Sequence, residues 1–136
     1  MRIILDSNIL FSALIRDSLT RRLILQYKDF FLFPSLIFDE MAKHRGLLLK
    51  KSGLNHEEFI QLLNLLLCKV IVVPKKVLEV HKREAWKIVK NIDPDDVLLI
   101  ACALAYSSSV IWSEDKKLKQ QSKVRVFSTE EIKGLL

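Results

Sequence analysis

The sequence predicts an α/β fold, a three-layer α/β/α sandwich around a central and mostly parallel sheet. Short apolar runs alternate along the chain with longer segments of helical periodicity, which is typical of parallel strands joined by crossover helices. The chain has 136 residues, of which 50% are hydrophobic and only three are Gly and three Pro, a composition that favours helices. Because no linker, repeat or low-complexity stretch interrupts it, we expect residues 1–136 to form a single domain.

The first half of the chain contains two strand patterns and four helix patterns. In chain order we predict a strand at 2–5, helices at 9–15 and 18–27, a strand at 30–33, a helix from Ser35 to about residue 49 and a helix after Asn55. The first strand is apolar, as in a strand buried on both faces, and the aromatic residues of the second are expected in the core. Pro34 stops the second strand, Gly53 breaks the helix that follows, and Asn55 is a favoured N-cap.

The second half repeats this alternation. We predict a strand at 70–73, helices at about 76–90 and 94–106, a strand at 110–112, a short helix at 115–121, a strand at 124–127 and a terminal helix capped by Thr129. Pro94 suits the first position of its helix, with Asp93 as the cap. In the helix at 76–90, the side chains expected on or near the buried face are Val77, Val80, Trp86 and Val89.

The chain is basic, with 22 Lys and Arg against 16 Asp and Glu and a net charge of +6. This charge suits a polyanionic partner, although many soluble domains are equally basic. Cys68 and Cys102 lie in apolar helical segments and are expected to be buried, reduced thiols. The sequence has no signal-peptide pattern, and no apolar run reaches the roughly 18 residues of a membrane helix. We therefore expect a cytoplasmic protein with no membrane partner.

The acidic residues that stand out are Asp6, Glu40, the pair Asp95-Asp96 and Asp115, each in or at the end of an apolar segment. A carboxylate is costly to bury there without a partner. Asp6 and Asp115 follow predicted strands, and ligands of open parallel sheets bind beyond the carboxyl ends of the strands. Glu40 and Asp96 lie near helix starts, which carry partial positive charge. We expect these positions to converge on one crevice and to require a bound cation.

Such a site would bind a hard divalent cation. Carboxylates with no cysteine cluster and no paired histidines favour Mg²⁺ or Mn²⁺ over zinc. One or two such ions could activate a water molecule and stabilise the oxygens of a scissile phosphate, and Asn8 and Ser113 could orient the outer shell. The sequence has no glycine-rich phosphate-binding loop, which argues against a nucleoside triphosphate as substrate.

Each charged residue also has a simpler interpretation. Asp6 could cap the following helix, Glu40 could be a solvated helix residue, and the remaining acids could be ordinary residues of helix starts. The three histidines, His44, His56 and His81, are expected at the surface. The basic runs at 43–45, 50–51 and 116–119 either form solvated faces or contact phosphates.

Four segments of the chain resemble the PIN-domain ribonucleases, in particular VapC-like and other stand-alone prokaryotic members. They are Ile4-Leu5-Asp6-Ser7-Asn8, Pro34-Ser35 with Asp39-Glu40, Asp93-Pro94-Asp95-Asp96 with the apolar residues up to Ala105, and Trp112-Ser113-Glu114-Asp115. The resemblance spans nearly the whole chain and keeps the order of the four acidic positions. Two departures are Trp112, which is bulky, and Glu114, which adds a charge beside Asp115.

The resemblance implies a divalent-metal-dependent endoribonuclease with an α/β/α fold. It implies that the acidic metal-binding set is Asp6, Glu40, Asp96 and Asp115, that Asp93 is an extra acid, and that Ser113 and Asn8 are the polar positions near them. Mg²⁺ or Mn²⁺ would be the cofactor and RNA the substrate. Many such proteins are the toxin of a toxin–antitoxin pair, so that an antitoxin protein and a second copy of the chain are expected partners.

Two other functions are consistent with part of this pattern. A phospho-accepting receiver domain also places carboxylates at strand ends, but it needs an acidic pair after the first strand, where this chain has Asp6 followed by Ser7. A catalytically silent PIN fold that binds nucleic acid or protein is the remaining alternative, and the intact acidic set argues against it.

Overall fold

The computed structural model describes residues 1–15, 19–35 and 37–136, and of Ile37 and Phe38 it describes the backbone alone. The strands of this part of the chain are β1 (Arg2–Leu5), β2 (Phe31–Pro34), β3 (Val70–Val73), β4 (Ser109–Trp112) and β5 (Arg125–Phe127). They form one sheet in the order β3-β2-β1-β4-β5, and every neighbouring pair is parallel. The carboxyl ends of all five strands therefore lie at one edge, with β1 in the middle.

The helices of the described chain are α1 (Ser7–Ile15), α2 (Leu19–Gln26), α3 (Ile37–Ser52), α4 (His56–Leu67), α5 (Lys75–Val89), α6 (Val97–Ala105) and α7 (Thr129–Leu135). Short 3₁₀ turns form at Pro94–Asp96 and Leu118–Gln120. None of the helices in these residues is long and apolar enough to cross a membrane.

Helices cover both faces of the sheet, so that the predicted α/β/α sandwich is confirmed. Ile3 and Leu5 of β1 belong to a core built with α1 to α4, whereas Ile4 between them belongs to a second core built with α5 and α6. This division follows from the strand geometry, because successive side chains point to opposite faces. All three side chains are fully buried, as predicted for a strand covered on both sides.

Several helix ends agree with the sequence signals and others do not. Asn55 forms the predicted cap of α4, with a reciprocal bond from Glu58, and Gly53 ends α3 in the left-handed region with a φ of 69°. The predicted cap Thr129 is wrong, because Ser128 caps α7 and Thr129 is its first residue. Asp93 does occupy the N-cap position before Pro94, as predicted, but its side chain makes no capping hydrogen bond.

The boundaries of several other segments differ from the predictions. The first helix begins at Ser7 and not at Ile9, the helix after β2 spans Ile37–Ser52, and β4 begins at Ser109. Pro34 is the last residue of β2 and not the first residue after it. The strand β5 begins at Arg125, one residue later than predicted. Of the short helix predicted at 115–121, only Leu118–Gln120 is helical, as a 3₁₀ turn. The helix predicted at 94–106 begins as a 3₁₀ turn and is α-helical over Val97–Ala105. Ser18, predicted to start the second helix, and residue 36 lie outside the described residues.

Four predictions of burial are wrong, at Val80, Trp86, Cys68 and Phe30. In α5, Val80 is 77% exposed and Trp86 is 48% exposed, whereas Leu78, Ala85 and Val89 form the buried face. Residues two apart on a helix point about 200° apart, so that Leu78 and Val80 face opposite directions.

The same rotation explains Cys68. It is exposed and lies two residues beyond the buried Leu66, whereas Cys102 is buried as predicted. Phe30 is 51% exposed because it precedes β2, although Phe31 and Phe33 are in the core.

Candidate metal centre

The acidic residues gather at the carboxyl edge of the sheet. Asp6 follows β1 directly, and Asp115 lies three residues beyond the end of β4, which pairs with β1. Glu40 is in the first turn of α3, after β2 on the other side of β1. Asp96 ends the 3₁₀ turn that leads into α6. The strand order therefore brings together residues that are far apart in the sequence.

Three carboxylates form the closest group, which we call the carboxylate triad: Asp93, Asp96 and Asp115. One oxygen of each lies within 4.8 Å of one oxygen of each of the others. The turn that contains Asp93 and Asp96 is closed by a backbone bond, with the Asp96 amide donating to the Asp93 carbonyl over 3.1 Å. Residues three apart in such a turn lie on the same side, so that both carboxylates face Asp115.

Asp6 lies beside the triad and is 5% exposed. The Ser113 hydroxyl donates to Asp6 Oδ2 over 2.6 Å and accepts the Asp115 amide over 3.0 Å. The Asp6 amide donates to the Trp112 carbonyl over 3.1 Å, which extends the β1–β4 pairing by one residue. Ser113 therefore connects a ligand position on β1 with the loop that carries Asp115.

A cleft opens in front of these residues. Its walls include the carboxylates of Asp6, Glu40, Asp95 and Asp96, and its floor is partly apolar, with Phe33 and Leu99 among the lining residues. Asp6 is buried, Asp96 is half-buried, and Glu40 and Asp95 are exposed. Asp96 belongs to both the cleft and the triad, which makes it the central residue of the site.

The electrostatics of the triad indicate negative charge without enough compensation. Burial, followed by the charge of Asp6 and a hydrogen bond with Asp115, raises the pKa of Asp96 to about 8. A hydrogen bond shared with Asp115 raises the pKa of Asp93. At Asp115, burial raises the pKa, but hydrogen bonds with Asp93 and with the Lys117 amide lower it further than burial raises it, so that the pKa is lowered overall. Without a cation, the surroundings of Asp96 therefore favour its protonated form.

The donors of this site fit a hard divalent cation. Its side-chain ligand atoms are carboxylate oxygens within mutual reach, and Mg²⁺ is commonly held by one or two carboxylates together with water. A cation at the triad would remove the repulsion that raises the pKa of Asp96, because an opposite charge nearby favours the ionised carboxylate. The residues present therefore suit such an ion.

One of the simpler interpretations, that Asp6 caps the following helix, agrees with the structure. Asp6 does interact with the start of α1, since the Asn8 amide donates to Asp6 Oδ1 over 3.5 Å, so that helix capping and a place in the site coexist. The Asn8 side chain itself is exposed. Asp95, which was expected in the crevice as part of the pair with Asp96 but not in the metal-binding set, lines the cleft and lies outside the triad.

Basic residues flank the site on two sides. Lys117 lies beside Asp115, where its amide donates to Asp115 Oδ1 over 2.9 Å. On the other side of the cleft, Lys43 and His44 are exposed on α3, one turn after Glu40. The His44 ring meets the Phe11 ring of α1 edge-on, with 6.2 Å between the centroids. These basic and aromatic residues thus lie close to two of the acidic positions, Glu40 and Asp115, without lining the cleft itself.

Comparison with known proteins identifies the family. A family model described as PIN domain matches residues 4–134, which include both strands and helices of the site. No curated protein sequence matches the chain. The chain belongs to the PIN-domain family, and this membership indicates a nuclease-type function with a nucleic-acid substrate.

Proposed function

We propose that this PIN-domain protein is a divalent-metal-dependent endoribonuclease. The observation that carries the proposal is the carboxylate triad beside the buried Asp6, at the edge of the sheet where open α/β folds bind their ligands. The raised pKa of Asp96 supports it, because burial and then the neighbouring charge of Asp6 disfavour its ionised form, and a bound cation would offset both. A protein with a net charge of +6 that concentrates acids in one cleft is suited to a polyanionic substrate held by a cation.

Each residue has a distinct role in this proposal. Asp6, Asp96 and Asp115 hold the ion, with Asp93 as the additional acid of the triad. When bound, Mg²⁺ or Mn²⁺ supplies charge neutralisation at the scissile phosphate and lowers the pKa of a water ligand. Glu40, an exposed lining residue of the cleft, would either bind the ion or orient the attacking water. In-line displacement would leave a 5′-phosphate, as the family resemblance implies.

The RNA backbone would cross the cleft between its two basic borders. Lys116 and Lys117 are exposed on the Asp115 side, and Lys43 and His44 on the α3 side. Phosphate contacts from such residues position a strand without reading its sequence. Binding should weaken steeply with salt, since each neutralised phosphate releases counterions. A cytoplasmic toxin of a toxin–antitoxin pair, active as a homodimer and inhibited by an antitoxin protein, is the biological setting that we propose.

The test is cleavage of a single-stranded RNA labelled at its 5′ end, with Mg²⁺ or Mn²⁺ added to protein that was first treated with EDTA. We expect Asp6→Asn and Asp115→Asn to fold normally and to lose cleavage. Asp39→Asn is the matched control, because Asp39 is exposed in the same turn as Glu40 and should retain wild-type activity. Undiminished cleavage by both site variants would refute the assignment.

The same assay separates the proposed roles of Glu40. If Glu40 orients the water, Glu40→Gln should lower the cleavage rate and leave the affinity for Mg²⁺ close to that of the wild type. If it is a ligand, both should fall together. RNA binding without cleavage by the wild-type protein in either metal would favour the catalytically silent PIN fold instead.

A further inference from the structure

The two residues that depart from the family pattern, Trp112 and Glu114, contact the same residue of the last helix. The Trp112 Nε1–H donates to the Thr129 hydroxyl over 3.0 Å. The Thr129 amide donates to Glu114 Oε1 over 2.6 Å. Thr129 is the first residue of α7 and holds both neighbours of Ser113, one through its side chain and one through its backbone.

From Trp112 to Asp115, successive side chains make their contacts alternately with α7 and with the metal site. Trp112 is fully buried in the core that also contains Ile132 of α7, and Glu114 contacts α7 as well. Ser113 and Asp115 contact Asp6 and the triad instead. Successive side chains of an extended chain point in opposite directions, so that fixing residues 112 and 114 from one side orients residues 113 and 115 on the other.

We propose that Thr129, together with Trp112 and Glu114, positions the metal site by holding the loop that carries Asp115 against α7. The proposal rests on the metal-dependent function above and explains both departures. Glu114 points its carboxylate at a helix amide and not into the cleft, so that it adds no charge to the triad. Two further contacts hold the surrounding chain in place. The Ser113 amide donates to the carbonyl of Phe127, the last residue of β5, over 3.0 Å, and Lys119 of the 3₁₀ turn after Asp115 pairs with Glu131 of α7.

These residues act through Asp115 and do not touch the ion. Outer-shell partners of ligands fix ligand orientation, and their loss typically lowers metal affinity by about 10- to 100-fold. Thr129→Val removes the hydroxyl that accepts the Trp112 indole, and Glu114→Ala removes the acceptor of the Thr129 amide. Thr129→Ser and Glu114→Gln retain an oxygen at each position and are the rescue variants.

The experiment measures Mg²⁺ binding to the full chain by calorimetry at a temperature where every variant is folded. We expect Thr129→Val and Glu114→Ala to raise the dissociation constant for Mg²⁺ about tenfold, and Thr129→Ser and Glu114→Gln to bind nearly as the wild type does. Asn55→Ala is the matched control for stability, because it removes the cap of α4 away from the cleft and should leave Mg²⁺ affinity unchanged.

A second measurement needs no metal. The Asp115 amide donates to the Ser113 hydroxyl, and its hydrogen exchange should become faster in Thr129→Val and Glu114→Ala but not in Asn55→Ala. Wild-type Mg²⁺ affinity in both disruptive variants would overturn this inference and leave the proposed function intact. Absence of Mg²⁺ and Mn²⁺ binding by the wild-type protein would overturn both.

Discussion

Replacement of Asp96 by Asn tests the central electrostatic claim, that the metal-free site is destabilised by its own charge. Asn is nearly isosteric with Asp but cannot ionise, so the substitution removes a negative charge from the triad and leaves its packing in place. The pKa of the Asp96 carboxyl rises from 3.8 to about 8, with burial as the largest cause and the charge of Asp6 as the next. The variant should therefore be the more stable protein at alkaline pH.

The sign follows from proton linkage. A carboxyl with a raised pKa binds its proton more tightly in the folded than in the unfolded protein, so that stability falls as the pH rises from 3.8 to about 8 and is constant above. Each pH unit in that span is worth about 1.36 kcal/mol, which gives an upper bound of about 6 kcal/mol. Asp96 is partly exposed, and solvent screening reduces this to about 2 kcal/mol.

The assay is urea and thermal unfolding of EDTA-treated protein at pH 5.0 and pH 8.5. At the higher pH, Asp96→Asn should be more stable than the wild type by about 2 kcal/mol, or about 7 °C in Tm. At pH 5.0 the difference should be only about a third as large, because only the first part of the pH span from 3.8 to about 8 has then been crossed. Addition of Mg²⁺ at pH 8.5 should reverse the order, since only the wild type gains stability from binding.

Asp95→Asn is the matched control. Asp95 is exposed and lies outside the triad, so this variant should retain the pH dependence of the wild type. The reasoning is refuted if wild-type stability does not fall between pH 5.0 and pH 8.5, or if Asp96→Asn is no more stable than the wild type at pH 8.5.

Three further predictions concern other contacts. Ser113→Ala removes the donor to Asp6 and should destabilise the protein by about 1–3 kcal/mol in urea unfolding while weakening Mg²⁺ binding; wild-type values of both would contradict the role of Ser113. Asn55→Ala should lower the free energy of unfolding by about 1 kcal/mol without changing RNA cleavage, and a loss of cleavage would show that α4 contributes to the site. A thiol reagent should modify the exposed Cys68 rapidly and Cys102 only after denaturation, because burial raises the pKa of the Cys102 thiol to about 12; two equally fast thiols would refute this.

Patterns of neighbouring residues were sufficient for the fold class and for most elements. The apolar run of β1, the cap at Asn55 and the break at Gly53 are local signals, and the structure follows them. The predictions of burial were wrong where they depended on which face of a helix points to the core, as at Val80 and Cys68. A shift of one or two residues in the assumed face moves a side chain from the core to the solvent.

For the acidic residues too, the sequence predicted one part of the arrangement, and the tertiary structure decided the other. Their residue types and their places after strands predicted one crevice, because parallel strands end at the same edge of a sheet. The sequence could not show that the Asp93 carboxylate lies with those of Asp96 and Asp115 and makes no capping bond, nor that Ser113 bonds to Asp6 across 107 positions of the chain. Those contacts depend on the strand order β2-β1-β4 and on the turn before α6. Distances of this kind are set by packing between distant segments, and no local pattern encodes them.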